Sequence, residues 1–191
     1  MDEDSNGQGL VVPRLAAVSQ AGEEFVLRRW EMADLPLVRE ASTDPYIPLT
    51  TTVPPEYSRA EGEAFVRRQW TRAEQGQGYP FVVERRSDAR AVGTVGLWLR
   101  DLADGRGTLG YWISPRCRGA GAAGTALIAV ADWAQRELRI PRLQLFVEPW
   151  NTASCRTAER AGFAREGLLR SWQEVGGERR DMVLYGRAAA A

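Results

Sequence analysis

The stretch "RCRGAGAAGTAL", residues 116–127, carries two overlapping glycine patterns, and which one the chain uses decides the fold. From Gly119 it reads G-x-G-x-x-G, with Gly121 and Gly124, the pattern of a dinucleotide-binding turn. From Arg118 it reads R-x-x-G-x-A, with Gly121 and Ala123, a turn whose backbone would cradle a different phosphate. A dinucleotide fold puts its glycines directly after the first strand, an acid about 20 residues on, and further βαβ units behind. Here the motif lies past the middle of a 191-residue chain, "PRCR" separates it from the preceding strand, and only one βαβ crossover follows. Glu148 lies somewhat too far along to serve as the ribose acid. The second pattern asks only for a strand, a run of backbone N–H groups and a helix whose N-terminus faces an anion. Small residues from Gly119 to Gly124 let a backbone approach a pyrophosphate, while the helix dipole and first-turn N–H groups supply positive potential. The same small residues would also allow tight packing of helix on sheet.

Behind this segment, Leu127, Val130, Ala131, Ala134 and Leu138 recur at helical spacing and predict an amphipathic helix ending near Arg139. "GRGTLGYWIS" predicts the strand before it and "RLQLFVE" the strand after it. Residues 154–161 predict a short helix stopped at Gly162, and strands near residues 164–172 and 179–187 close the chain. Upstream, "EFVLRRW" at residues 24–30 alternates like a first strand, and residues 32–41 predict a short helix entered at Asp34. Residues 42–57, rich in Pro and Thr, read as a long loop of the kind that often carries function. Ser58 and Glu61 form a capping box opening a helix to about Gln75, with Ala64, Phe65 and Gln69 on its buried stripe. "FVVERR" and "AVGTVGLWL" complete the strands. The expectation is a single mixed α/β domain, residues 23–188, with about seven mostly antiparallel strands and about four helices. A flexible tail is expected at residues 1–22 and another at 189–191.

Composition narrows the function. An apolar content of 44% with seven Trp argues against disorder, and no run approaches the roughly 18 apolar residues of a membrane span, so no membrane partner is expected. The formal charge is zero, with no basic excess to neutralise a nucleic-acid backbone. "MDEDSNGQG" lacks the charged-then-apolar order of a secretory signal, so a cytoplasmic location is expected. His is absent, which removes Ser-His and Cys-His nucleophile pairs and the usual His-containing metal sites; no metal is expected. Cys117 and Cys155 cannot make a disulfide framework and read as small apolar filler.

The segments "GYWISPRCRGAGAAGTAL", "VEPWNTASCRTAERAGFAREG" and "GGERRDMVLYGR", in that order, resemble the GCN5-related N-acetyltransferase (GNAT) family. The branch most similar includes the ribosomal-protein N-terminal acetyltransferases (RimJ/RimL-like), and the resemblance runs from about Phe25 to Arg187. It implies a GNAT-like α+β domain splayed between its fourth and fifth strands, acetyl-CoA as acyl donor, and a primary amine as acceptor. The α-amine of a protein or peptide is the acceptor implied first, with homodimers common in that branch. A small-molecule amine as acceptor, or a non-catalytic acyl-CoA-binding module, are the alternatives.

By resemblance, the main-chain N–H groups of Arg118, Gly119, Ala120, Gly121, Ala122 and Ala123 bind the pyrophosphate. The strand around Trp112, Ile113 and Ser114 pairs with the pantetheine arm, with a donor for the thioester carbonyl near Trp112 or Ile113. Asn151 contacts pantetheine, and Ser154 protonates the departing thiolate; Asn151 equally suits a turn and Ser154 the N-cap of its helix. The chain departs from the family in two places. Ala158 stands where many members have Tyr, and Thr108 and Leu109 stand where a Glu often precedes "GYW". Glu148, Glu84 and Glu174 are the candidate bases by location, each also readable as a structural or solvated carboxylate. Trp98, Trp112, Trp150 and Trp172 read as cleft walls or core, Arg156 and Arg160 as phosphate contacts or a solvated face, and Asp181 as a structural hydrogen-bond partner.

Overall fold

Apolar residues at period two and period 3.6 become eight strands and five α-helices among residues 9–189, which the computed structural model describes. Residues 1–8 and 190–191, part of the two expected tails, lie outside the described residues. The strands are β1 Leu15–Val18, β2 Glu24–Arg28, β3 Gly78–Arg85, β4 Arg90–Trp98, β5 Arg106–Ile113, β6 Arg142–Val147, β7 Ala164–Val175 and β8 Glu178–Ala188. The helices are α1 Leu35–Ser42, α2 Ile47–Thr50, α3 Arg59–Glu74, α4 Ala122–Arg136 and α5 Thr152–Arg160. No helix among the described residues is long and apolar enough to cross a membrane.

The strands form one sheet in the order β1-β2-β3-β4-β5-β6-β8-β7, antiparallel throughout except for β5 and β6. Those two run parallel and pair only over Arg106↔Arg142, Gly107↔Leu143 and Thr108↔Gln144. Beyond Thr108 they part, while β6 stays paired with β8 as far as Val147↔Val183. The sheet therefore opens as a wedge between its fifth and sixth strands, which are the fourth and fifth of the sequence count once β1 is added.

Alternation sends each strand's residues to two different cores. Val95, Leu97, Leu109, Ile113, Leu143, Leu145, Val147, Val183 and Tyr185 pack with Ala126, Leu127, Val130 and Ala134 of α4 on one face. Val82 and Trp112 face the other way and join Trp30, Leu37, Val38, Phe65 and Val66 beneath α1 and α3. Side chains as fully buried as Leu127 and Val66 each contribute about 1.5–3 kcal/mol.

The structure departs from the expected count in two segments. "LAAV", inside the expected N-terminal tail, is β1, because Ser19 to Glu23 form a tight return with Gly22 at φ 81° and Ser19 Oγ accepting from Glu23 N–H at 3.0 Å. The expected long loop at 42–57 contains α2, because Asp44 Oδ1 accepts from the N–H groups of Tyr46 (2.8 Å) and Ile47 (2.9 Å) and Pro48 falls in its first turn. The capping box forms in part as expected, with Ser58 accepting from Glu61 N–H at 3.1 Å. Ala189, assigned to a C-terminal tail, donates its N–H to Pro141 O at 2.8 Å.

Candidate active site

The glycine segment resolves first. Gly119 and Gly121 both adopt the left-handed region, at φ 89° and 79°, and Gly121 is the N-cap of α4, with no side chain capping the helix. The first-turn N–H groups are thus left for an external acceptor. A Cβ on Gly119 would meet nothing within 4 Å, and one on Gly121 only Ser19 Cβ at 3.8 Å, so glycine is required here by backbone conformation and not by packing. Gly124 differs: its φ is ordinary, and a Cβ there would touch only Thr157 Cγ2 at 4.0 Å. The third glycine of a dinucleotide turn serves close helix–strand packing. Gly124 serves no such contact, so R-x-x-G-x-A is the pattern in use.

The wedge lies beside this turn. Ser114 N–H donates to Val92 O at 2.9 Å, and period-two alternation turns the N–H of Trp112 the same way, into the β4 ladder opposite Thr94. The amides of Tyr111 and Ile113 then face the wedge, and Ile113 O accepts from Arg118 Nε at 3.1 Å. Of the two expected carbonyl donors, Ile113 is the one whose N–H points into the gap. Ser114 is fully buried with its N–H engaged on β4.

On the α4–α5 side, Asn151 Oδ1 accepts from Ser154 N–H at 3.1 Å, so Asn151 and not Ser154 is the N-cap of α5. Ser154 lines the cleft. Ala158 is fully buried in the core, and a phenol reaches α5 from β5 instead: Tyr111 donates its hydroxyl to Ser154 O at 3.2 Å. Burial holds the Tyr111 pKa above its ordinary value. Arg156 and Arg160, one turn apart on α5, line the same side with no carboxylate within 4 Å among the described residues.

The opposite face of the wedge is built from the other set of alternating residues, Gln144, Phe146 and Glu148. Glu148 is buried, accepts from the Tyr46 hydroxyl at 2.6 Å and has Arg180 Nε at 3.8 Å. Burial, and then the adjoining Glu148, push the Tyr46 pKa up. Glu84 is taken by Arg28 at 2.6 Å, and Glu174 is an exposed residue at the cleft rim. Asp44 connects the two faces. Its Oδ2 accepts from Arg118 Nη2 at 2.7 Å, while its Oδ1 holds α2 and so aims Tyr46 at Glu148. Burial acts to raise the Asp44 pKa, but the N–H groups of Ile47 and Tyr46 and the Arg118 guanidinium outweigh it and hold the carboxyl below its usual value.

The aromatic candidates separate. Trp150, 61% exposed, stands edge-on to Tyr46 with centroids 5.0 Å apart, and Trp172 stacks on Phe146 at 5.8 Å. Trp112 belongs to the second core, beside Trp30. Asp181 Oδ1 accepts from Ser171 N–H at 2.7 Å, where β7 bulges. Tyr46, Glu148, Trp150, Ser154 and Trp172 line one open cleft of about 2430 Å³ that also reaches the glycine turn. Sequence reasoning missed Asp44 and Tyr46; the available signal was an Asp placed to cap, with Pro48 in the following turn.

Residues 24–164 match the family model described as acetyltransferase (GNAT) domain. The chain is 24% identical over 163 residues to the uncharacterized N-acetyltransferase p20 of Bacillus licheniformis, covering 85% of this chain and 92% of that protein. It is 31% identical over 125 residues to the probable N-acetyltransferase YjcK of Bacillus subtilis (strain 168), covering 64% of this chain and 68% of YjcK. Its fold is similar to that of Mycobacterium smegmatis RimJ in complex with CoA-disulfide, with a TM-score of 0.81 and 25% identity, covering 93% of this chain and 88% of that one.

Proposed function

This chain belongs to the GNAT acetyltransferase family and uses acetyl-CoA as its acyl donor, and from that premise we propose that it acetylates the α-amine of a protein or peptide. The observation that carries the reading is the uncapped N-terminus of α4, with Gly119 and Gly121 in left-handed conformations beside a sheet that opens toward Glu148. Acetyl-CoA supplies an acyl group as a thioester open to attack by an amine. The amides of residues 119–123 hold the diphosphate, the Arg118 N–H being turned instead to Pro115 O at 3.5 Å, and Asn151 borders the pantetheine path. Arg156 and Arg160 add positive potential there, at a distance that salt will screen.

The Ile113 N–H faces the place where negative charge builds on the carbonyl oxygen during attack. A preset donor of this kind contributes about 3 kcal/mol because it needs no reorganisation at the moment of reaction. Glu148 receives the incoming ammonium on the other face, orients it against the wedge and takes up the proton that the amine loses. As the C–N bond forms and the C–S bond breaks, the Ser154 hydroxyl gives its proton to the departing sulfur and regains one from solvent in the open cleft.

Glu148 already accepts from the Tyr46 hydroxyl and has Arg180 nearby, so part of its acceptor capacity is taken before an amine arrives. A lysine-type amine with a pKa of about 10.4 costs about 4 kcal/mol to deprotonate near neutral pH, whereas an α-amine near 7.7–8.0 costs about 1. The site therefore suits an α-amine. Thiol release from acetyl-CoA, measured with matched peptides bearing either a free α-amine or a free ε-amine, tests this. The α-amino peptide is expected to show a kcat/KM at least about tenfold higher. A preference for the ε-amine, or no release with either, overturns the reading.

A further inference from the structure

The far end of the cleft carries a second group of residues that the acyl-transfer chemistry does not use. Trp98 lies across the acceptor face of the sheet: a Cβ on Gly96 would come within 2.7 Å of its ring, and its indole nitrogen sits 3.8 Å from where a Cβ of Gly110 would be. Glycine at 96 is what lets the ring lie flat there. The guanidinium of Arg72, from α3, sits over that ring at 5.2 Å from its centroid, and its Nη1 donates to the buried Gln69 at 3.1 Å. Among the described residues no carboxylate lies within 4 Å of Arg72, and the Trp98 N–H makes no hydrogen bond. Arg72, Trp98, Arg100 and Gly110 line the same cleft as Glu148. Asp101 is an acid at that end, while Asp104 is taken by Arg106 at 2.8 Å.

Resting on the α-amine reading above, we infer that the Arg72–Trp98 shelf is a specificity subsite that binds a carboxylate side chain of the acceptor peptide. The guanidinium is half-buried, fixed in orientation by the ring and by Gln69, and presents its remaining N–H groups as a fork suited to a carboxylate. The indole N–H adds a donor beside it. The position in the peptide follows from the strand. Gly110 is three residues from Ile113, about 10 Å along β5, and an extended peptide advances about 3.3–3.6 Å per residue. An acceptor whose α-amine meets the Ile113 end of the wedge brings its third or fourth residue over Trp98. The cleft then reads an ammonium near Glu148 and a carboxylate near Arg72.

The test uses the full chain saturated with coenzyme A for binding and with acetyl-CoA for turnover. The probes are heptapeptides with a free α-amine carrying one Glu at positions two to six in turn, each paired with its Gln version. Glu at position three or four is expected to tighten calorimetric binding and lower KM by about tenfold, with kcat little changed. That advantage disappears in Arg72→Gln and returns in part in Arg72→Lys, while the KM for acetyl-CoA stays as in the parent. A Glu preference that survives in Arg72→Gln, or no positional preference at all among acetylated peptides, overturns the subsite alone. If no peptide is bound or acetylated, the α-amine reading fails and the subsite with it.

Discussion

A helix cap and a proton donor make opposite demands on a side chain: the cap must stay on its N–H group, and the donor must stay free to reach a leaving group. In the proposed function Asn151 and Ser154 separate these tasks, the Asn151 carboxamide accepting from Ser154 N–H at 3.1 Å so that the Ser154 hydroxyl is not spent on the cap. Replacing Asn151 by Ala removes the cap of α5, at a cost of about 1 kcal/mol. The melting temperature is expected to fall by about 2–4 °C in a domain of this size. Ser154→Ala keeps the backbone N–H that the cap uses, so its melting temperature should match the parent. Its rate of thiol release should fall by about a hundredfold or more, the low end of what a positioned acid contributes. A Ser154→Ala protein of full activity would show that the hydroxyl takes no part, and a destabilised one would show that it supports the fold.

At the scale of the element, α4 and its turn make a prediction whose sign changes within four residues. Gly121→Ala forces a side chain into the left-handed region at a cost of about 1–2 kcal/mol, and should also raise the KM for acetyl-CoA. Gly124→Ala sits at an ordinary φ with only Thr157 Cγ2 at 4.0 Å, so it should stabilise the helix by up to about 1 kcal/mol. Denaturant midpoints of the two variants check the pair; equal effects would mean that the turn is not conformationally selected. The same turn was legible in the sequence because its requirement is local, a spacing of small residues ahead of an apolar stripe. The helices α3, α4 and α5 were legible for similar reasons: a capping serine, a period of 3.6, a stopping glycine. Elements that depend on tertiary partners were not. "LAAV" has too few residues to show a period and becomes β1 by pairing with β2. The turn of α2 exists because Asp44, itself paired with Arg118 from 74 residues away, holds its first N–H groups. Tyr46 could not be assigned to Glu148 from sequence for the same reason, although the alternation of Leu145, Val147 and Glu148 already put that carboxylate on the face opposite the core.

At the scale of the whole molecule, two parallel strands that pair over three residues and then part make a passage through the sheet. In the proposed function the turn that meets the donor lies on one face and the cleft that meets the acceptor on the other. Arg118 belongs to both, since it opens the glycine turn, donates to Ile113 O and ties down Asp44 beneath Tyr46. The proposal places the diphosphate at the mouth of α4, an anchor that sets where the thioester falls along β5. A crystal structure of the protein with coenzyme A measures this directly. Diphosphate oxygens about 3 Å from the amides of residues 119–123, with the pantetheine arm entering the wedge along the Ile113 edge, are the predicted result. A diphosphate bound elsewhere, with those amides turned onto protein groups, would contradict the account.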